Sequence, residues 1–152
     1  MRTWRLVKAK HRETAFDGEG ASTFGGRWSS PGFRVVYTAS TAALATLEIL
    51  VHLKRRDIIQ PLVLFACDFA DGLVSSIEMD RLPRHWRLFP APPELTRLGN
   101  DWVDSGASAV LRVPSAIVPT EWNYLLNPAH PDYAAIRIGP PLPFDIDQRL
   151  LP

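Results

Sequence analysis

Arg34-Val35-Val36-Tyr37-Thr38-Ala39, then Ser40-Thr41, then Ala42-Ala43-Leu44-Ala45-Thr46-Leu47-Glu48-Ile49-Leu50-Val51: this stretch passes from a strand pattern to a helix pattern across two hydroxyl residues. Val, Tyr and Thr favour extended chain, because branched and aromatic side chains pack well on a pleated surface. The Ala- and Leu-rich run favours a helix, and Ser40 or Thr41 stands where a side-chain oxygen accepts the first free amides. The helix is predicted over roughly 41–55, with Lys54, Arg55 and Arg56 near its electronegative C-terminal end.

Outward from this pair, further strand-like runs lie at 3–7, 62–69, 73–77, 109–113 and 134–138, beside the one at 34–39. A second helix is predicted around 95–104 from Leu95, Leu98, Trp102 and Val103, although Gly99 weakens it. Strands and helices do not alternate and their spacing is irregular. That order implies an α+β fold with a mainly antiparallel sheet, rather than a doubly wound parallel sheet or a repeat. The 14 prolines, including Pro90, Pro92, Pro93, Pro140, Pro141 and Pro143, mark turns without making a linker. The 152 residues suit one compact domain, 1–152.

Composition narrows the function classes. Apolar residues are 46% and charged residues 22%, a globular balance. The formal charge is +1, so no global field draws the chain to nucleic acid or an anionic membrane, and any anion site must be local. Cys67, the lone cysteine, sits in the apolar run Leu62-Val63-Leu64-Phe65-Ala66-Cys67 and reads as buried filler; no intrachain disulfide is possible. The start, Met1-Arg2-Thr3-Trp4-Arg5-Leu6, reaches no apolar stretch of signal length, and no window approaches about 18 apolar residues. A cytoplasmic location without membrane contact is expected.

Three places carry candidate chemistry. The stretch from Lys8 to Phe33 reads as a long polar loop, rich in glycine at Gly18, Gly20, Gly25, Gly26 and Gly32. Its glycines could let a ligand approach backbone amides, and Arg27 offers a planar fork of donors suited to phosphate; the alternative is a plain flexible loop. It has neither the Gly-Lys-Ser/Thr of a phosphate-binding loop nor the strand–glycine–helix order of a dinucleotide fingerprint. On the predicted helix, Leu44, Leu47 and Val51 define a core-facing stripe, and Glu48 occupies the same stripe. An inward carboxylate must pair with a cation, shift its pKa or line a cavity; pairing with His52 one turn on, or reaching the helix edge, are the structural alternatives. Tyr37, ending the preceding strand, can present a ring near the helix start. The third place is Val113-Pro114-Ser115, followed by Glu121-Trp122-Asn123-Tyr124-Leu125-Leu126-Asn127-Pro128-Ala129-His130-Pro131. Ser115 lacks a nucleophile-elbow context, and His11, His52, His85 and His130 lack metal-ligand spacing, so no metal is expected.

Taken in order, these pieces resemble the RES domain family, the toxin half of bacterial toxin–antitoxin pairs with an Xre-type partner. The resemblance rests on Trp4-Arg5, Gly26-Arg27-Trp28, Tyr37, Ala45-x-x-Glu48, Leu82-Pro83-x-x-Trp86, Gly99-x-x-Trp102, Val113-Pro114-Ser115, Asn123-x-Leu125-Leu126-Asn127-Pro128-x-His130-Pro131, and Phe144-Asp145 with Arg149-Leu150. It spans nearly the whole chain. One departure is Asp147-Gln148-Arg149-Leu150, where the family more often brings its Phe-Asp closer to Arg-Leu. The resemblance implies a compact fold similar to ADP-ribosyltransferases, with mixed or antiparallel sheets flanked by helices.

It also implies an enzyme that cleaves the nicotinamide–ribose bond of NAD by hydrolysis or phosphorolysis, with NAD as substrate, no further cofactor, and a cognate antitoxin as partner. In that reading Glu48 stabilises the oxocarbenium-like ribose centre, Arg27 holds the diphosphate or ribose, and Tyr37 orients the nicotinamide. Ser115 and Asn123 supply hydrogen bonds to sugar or amide, Arg5 is a further anion contact, and Trp28 beside Arg27 joins the binding residues. Protein ADP-ribosylation is the enzymatic alternative; a non-catalytic nucleotide- or protein-binding module is the other.

Overall fold

The computed structural model describes residues 1–53 and 60–151. Eight strands form one sheet: β1 (Arg2–Lys8), β2 (Val36–Ala39), β3 (Leu62–Asp68), β4 (Val74–Ser76), β5 (Val110–Pro114), β6 (Trp122–Leu126), β7 (Arg137–Ile138) and β8 (Leu142–Phe144). The order across the sheet is β4-β5-β6-β2-β1-β3-β7, and β8 pairs with the other half of β3. Every pairing is antiparallel except β4 with β5. The expected α+β class with a mainly antiparallel sheet is the fold observed, and the parallel pair makes the sheet mixed.

Three α-helices accompany the sheet: α1 (Glu19–Phe24), α2 (Ala42–Leu50) and α3 (Pro93–Ser105). The polar stretch after β1 is therefore not a plain loop; it holds a 3-10 turn at Ala9–Thr14 and then α1. Helix α2 starts where expected, with the Thr41 hydroxyl accepting the Leu44 amide at 3.0 Å. It ends at Leu50, and the basic residues Lys54, Arg55 and Arg56 lie outside the described residues.

Strand alternation divides the core. Leu111, Val113 and Leu125 leave one face of β5 and β6 to pack with Trp28, Leu95 and Trp102 beneath α3, while Val110, Tyr124 and Leu126 leave the other to pack with Val36 and Phe69. Leu6, Ala39, Leu62 and Leu64 carry the first face on beneath α2, meeting Leu44 and Ala45. At the α3 contact a Cβ on Gly99 would run into the Trp28 carbonyl oxygen, so the residue that weakens the helix is the one that lets Trp28 dock against it. Cys67 is fully buried and burial pushes its thiol up to about 12, which fits inert filler. Among the described residues no helix is long and apolar enough to cross a membrane.

Candidate functional site

The site is built at the seam where β2 meets β6, below the end of α2. The helix is tied to that seam at its start: Thr41 donates to Glu121 Oε2 at 2.8 Å, and the Ser40 hydroxyl reaches the same oxygen at 3.4 Å. Glu121 immediately precedes β6, so the tie fixes α2 against the strand that carries Asn123. Further along α2, Glu48 Oε1 accepts one hydrogen bond from Asn123 Nδ2 at 2.6 Å and another from Ser115 Oγ at 3.2 Å. Its other oxygen, Oε2, takes no hydrogen bond from the described residues. Glu48 is thus gripped on one side by neutral donors and open on the other.

The stripe that led to Glu48 is not the one observed. Leu47 is 36% and Val51 61% exposed, whereas Leu44 and Ala45 are buried and Ile49 packs against the same cluster. The buried face of α2 is rotated toward Leu44, Ala45 and Glu48. Neither structural alternative for Glu48 holds, since its hydrogen bonds go to Ser115 and Asn123 and His52 is exposed.

Ser115 was expected to contact the ligand, but its side chain is 0% exposed and fully occupied. While donating to Glu48 it accepts the amides of Ile117 and Val118, each at 3.1 Å. Its hydroxyl is committed to Glu48 and to these two amides. Asn123 turns its NH2 to the carboxylate, and its Oδ1 is buried without a partner among the described residues. A buried unpaired acceptor costs about 1–3 kcal/mol, and turning the amide over would set two acceptors against each other. The seam therefore holds Glu48 in place at a cost in stability.

Tyr37 sits on β2 opposite Leu125. Its hydroxyl accepts the Trp28 amide at 3.1 Å and shares a 2.9 Å hydrogen bond with Ser29 Oγ. A Cβ on Gly26 would lie 2.5 Å from that oxygen. Gly26, read from sequence as room for a ligand, in fact makes room for Tyr37. Burial raises the Tyr37 pKa, so the phenol stays neutral.

Arg27 follows that turn, and its Nη1 donates to the carbonyls of Trp86 at 2.9 Å and Leu88 at 3.1 Å. Its other N–H groups have no partner among the described residues. Partial burial lowers the guanidinium pKa, opposed first by the negative charge of Glu48 and then by Tyr37. A half-buried cation whose other N–H groups find no partner among the described residues is a place where an anion gains. The loop carbonyls of Trp86 and Leu88 carried no sequence signal, because carbonyls belong to every residue.

Two expected binding residues fall elsewhere. Trp28 is 1% exposed within the core under α3, leaving no surface for a ligand; its bulk and the Gly99 gap put it inside. Arg5 alternates with Trp4 and Leu6, which face α2, so its side chain leaves the opposite face of β1. There Nε donates to the Ala15 carbonyl at 2.6 Å and Nη1 to the Tyr37 carbonyl at 2.7 Å, and burial lowers its pKa. It braces the strand that carries Tyr37 instead of meeting an anion beside Glu48. Among the described residues no group of three His, Cys, Asp or Glu side chains could hold a metal ion.

Comparison with known proteins finds relatives of this chain. The family model described as RES domain matches residues 2–147. The chain is 36% identical over 151 residues to "Toxin Res" of Yersinia enterocolitica, covering 99% of each protein. It is 39% identical over 139 residues to "Prs ADP-ribosylating toxin" of a Sphingobium species, covering 88% of this chain and 86% of that one. A chain in the crystal structure of the M. tuberculosis MbcT-MbcA toxin-antitoxin complex superposes with a TM-score of 0.77 at 19% identity, covering 95% of this chain and 84% of that one.

Proposed function

This chain belongs to the RES domain family, and from that premise we propose that it is the toxin of a toxin–antitoxin pair that consumes NAD by breaking the nicotinamide–ribose bond. The observation that carries the reading is the one-sided grip on Glu48, with Oε1 fixed by Asn123 and Ser115 and Oε2 without a hydrogen bond from the described residues. Departure of neutral nicotinamide from a cationic substrate leaves positive charge on the ribose C1 and its ring oxygen. A carboxylate already held in position stabilises that charge without reorganising at the moment of reaction. Arg27 supports the reading from the other end of the substrate, as a planar cation for the diphosphate. Because the leaving group needs no proton, no general acid is required of this site.

Water or phosphate attacking C1 completes cleavage; a protein side chain in their place completes ADP-ribosyl transfer. The second outcome is favoured by the relative named as an ADP-ribosylating toxin. Incubation with NAD, following free nicotinamide and ADP-ribose or its phosphate with and without cell protein, tests both. No nicotinamide release under any of these conditions overturns the reading in favour of a binding module. The antitoxin is proposed to be an Xre-type protein whose binding blocks the site; unchanged NAD turnover in the co-expressed complex would count against that block.

A further inference from the structure

The turn between β5 and β6, residues 115–121, is closed on itself and holds α2 at two points. The Ser115 amide donates to the Glu121 carbonyl at 3.0 Å, the Glu121 amide to the Val118 carbonyl at 2.9 Å, and the Ser115 hydroxyl accepts the amides of Ile117 and Val118. One end of this turn reaches Glu48 through Ser115 Oγ at 3.2 Å; the other receives Thr41 at Glu121 Oε2, at 2.8 Å. Thr41 and Glu48 stand seven residues apart in sequence, so they share one face of the helix, two turns from each other. The Thr41 hydroxyl also accepts the Leu44 amide, which joins the clasp to the helix backbone. Ser40 adds to it: its amide donates to the Trp122 carbonyl at 2.9 Å and its hydroxyl reaches Glu121 Oε2 at 3.4 Å.

A helix held at one point pivots there, whereas a second point two turns away fixes its roll and its depth. We infer that Glu121 is a positioning residue: through Thr41 it sets where α2, and with it Glu48, sits over the β2–β6 seam, and it acts by its reach rather than by its charge. Both of its side-chain contacts come from neutral hydroxyl donors, which an amide oxygen of the same reach also accepts. The inference rests on Glu48 being the residue that stabilises the reacting ribose. It adds that the placement of Glu48 is set from the far end of its helix.

Two variants separate reach from charge. Glu121→Gln keeps the length and loses the charge; Glu121→Asp keeps the charge and falls one methylene short of Thr41. Glu121→Gln is expected to turn over NAD like wild type, whereas Glu121→Asp lowers kcat about 10- to 100-fold with KM unchanged, the size of a misplacement of about 1 Å at a reacting centre. The reverse ranking overturns the inference, since it gives Glu121 a charge or a proton to supply. So does wild-type turnover in both variants, or an Asp variant whose turnover falls only with its folded fraction. NMR of the Asn123 side-chain amide reads the placement without chemistry: its signals, set by the 2.6 Å bond to Glu48 Oε1, should move toward those of a free amide in Glu121→Asp and stay in Glu121→Gln. Signals unmoved in both variants overturn the positioning role whatever the turnover. Signals that move in the Asp variant of a chain that releases no nicotinamide support the positioning role and overturn the proposed reaction.

Discussion

Two carboxylates, one at the end of β3 near an edge of the sheet and one on α2 over its middle, are held in opposite ways. Asp68, at the end of β3, receives two hydrogen bonds from Arg2, at 2.7 and 2.9 Å, beside an open cavity of about 660 Å³ lined partly by Met1, Phe69 and Arg137. Glu48, at the β2–β6 seam, receives only a neutral amide and a neutral hydroxyl. That hollow thus lies where the charge is already matched by a partner, and Glu48 does not line it. Neutral donors fix a carboxylate without neutralising its charge, as the proposed stabilisation of a cationic ribose requires.

The largest effect is expected where that field is removed. Glu48→Gln keeps the shape and loses the charge, so NAD turnover should fall at least about 100-fold with KM little changed, a size typical of removing one electrostatic stabiliser. A folded, fully active variant breaks the contrast. Next comes Arg27→Ala, which should raise KM about 10- to 100-fold, the loss of a charge-assisted contact, with Arg27→Lys restoring only part because it lacks the planar fork. Steady-state kinetics of the pair decide whether geometry or charge matters there.

Ser115→Ala sharpens the neutral-donor side. It strips one donor from Glu48 and leaves the amides of Ile117 and Val118 without their acceptor, so denaturant titration should show a loss of about 1–3 kcal/mol. Turnover should fall by more than the folded fraction does; a strictly proportional fall would make Ser115 purely structural.

The smallest effect belongs to the other carboxylate. Hydrogen bonding from Arg2 lowers the Asp68 pKa, so its contribution is present above the unfolded value near about 4 and is lost as pH falls through the lower folded one. The pair is exposed, and salt should screen it. Asp68→Asn should reduce the drop in melting temperature between about pH 5 and pH 2 without touching NAD turnover. Catalytic loss in that variant would move function to the cavity beside Asp68.

Sequence patterning made most of the sheet legible, β2 included, and hid β6 and β8. Most of β1, β3, β4 and β5 could be read from apolar runs, as could both longer helices. Strand β6 was missed because Trp122-Asn123-Tyr124-Leu125-Leu126 does not alternate: as an inner strand covered on both faces it buries Tyr124, Leu125 and Leu126 in succession. Strand β8 hides in Pro141-Leu142-Pro143, where proline is tolerated because the strand lies outermost against β3. For the site, Glu48 with Ser115 and Asn123 could be nominated by resemblance, but whether a residue touches ligand or holds one that does depends on burial. Trp28 and Arg5 show the limit: a motif position does not say to which side of the sheet a side chain goes.

The strand order also sets when the molecule becomes dangerous. Glu48 leaves the ribosome early, but the groups that fix it are Ser115, just after β5, and Asn123 on β6, which inserts between β5 and β2. Any product of interrupted synthesis or partial proteolysis that ends before Ser115 has the carboxylate without its holders. If Glu48 carries the activity, such fragments should be silent, with activity arriving only when the last third of the chain closes the seam. Split at the Gly106–Ala107 turn, the gene would yield two harmless halves whose reunion restores toxicity.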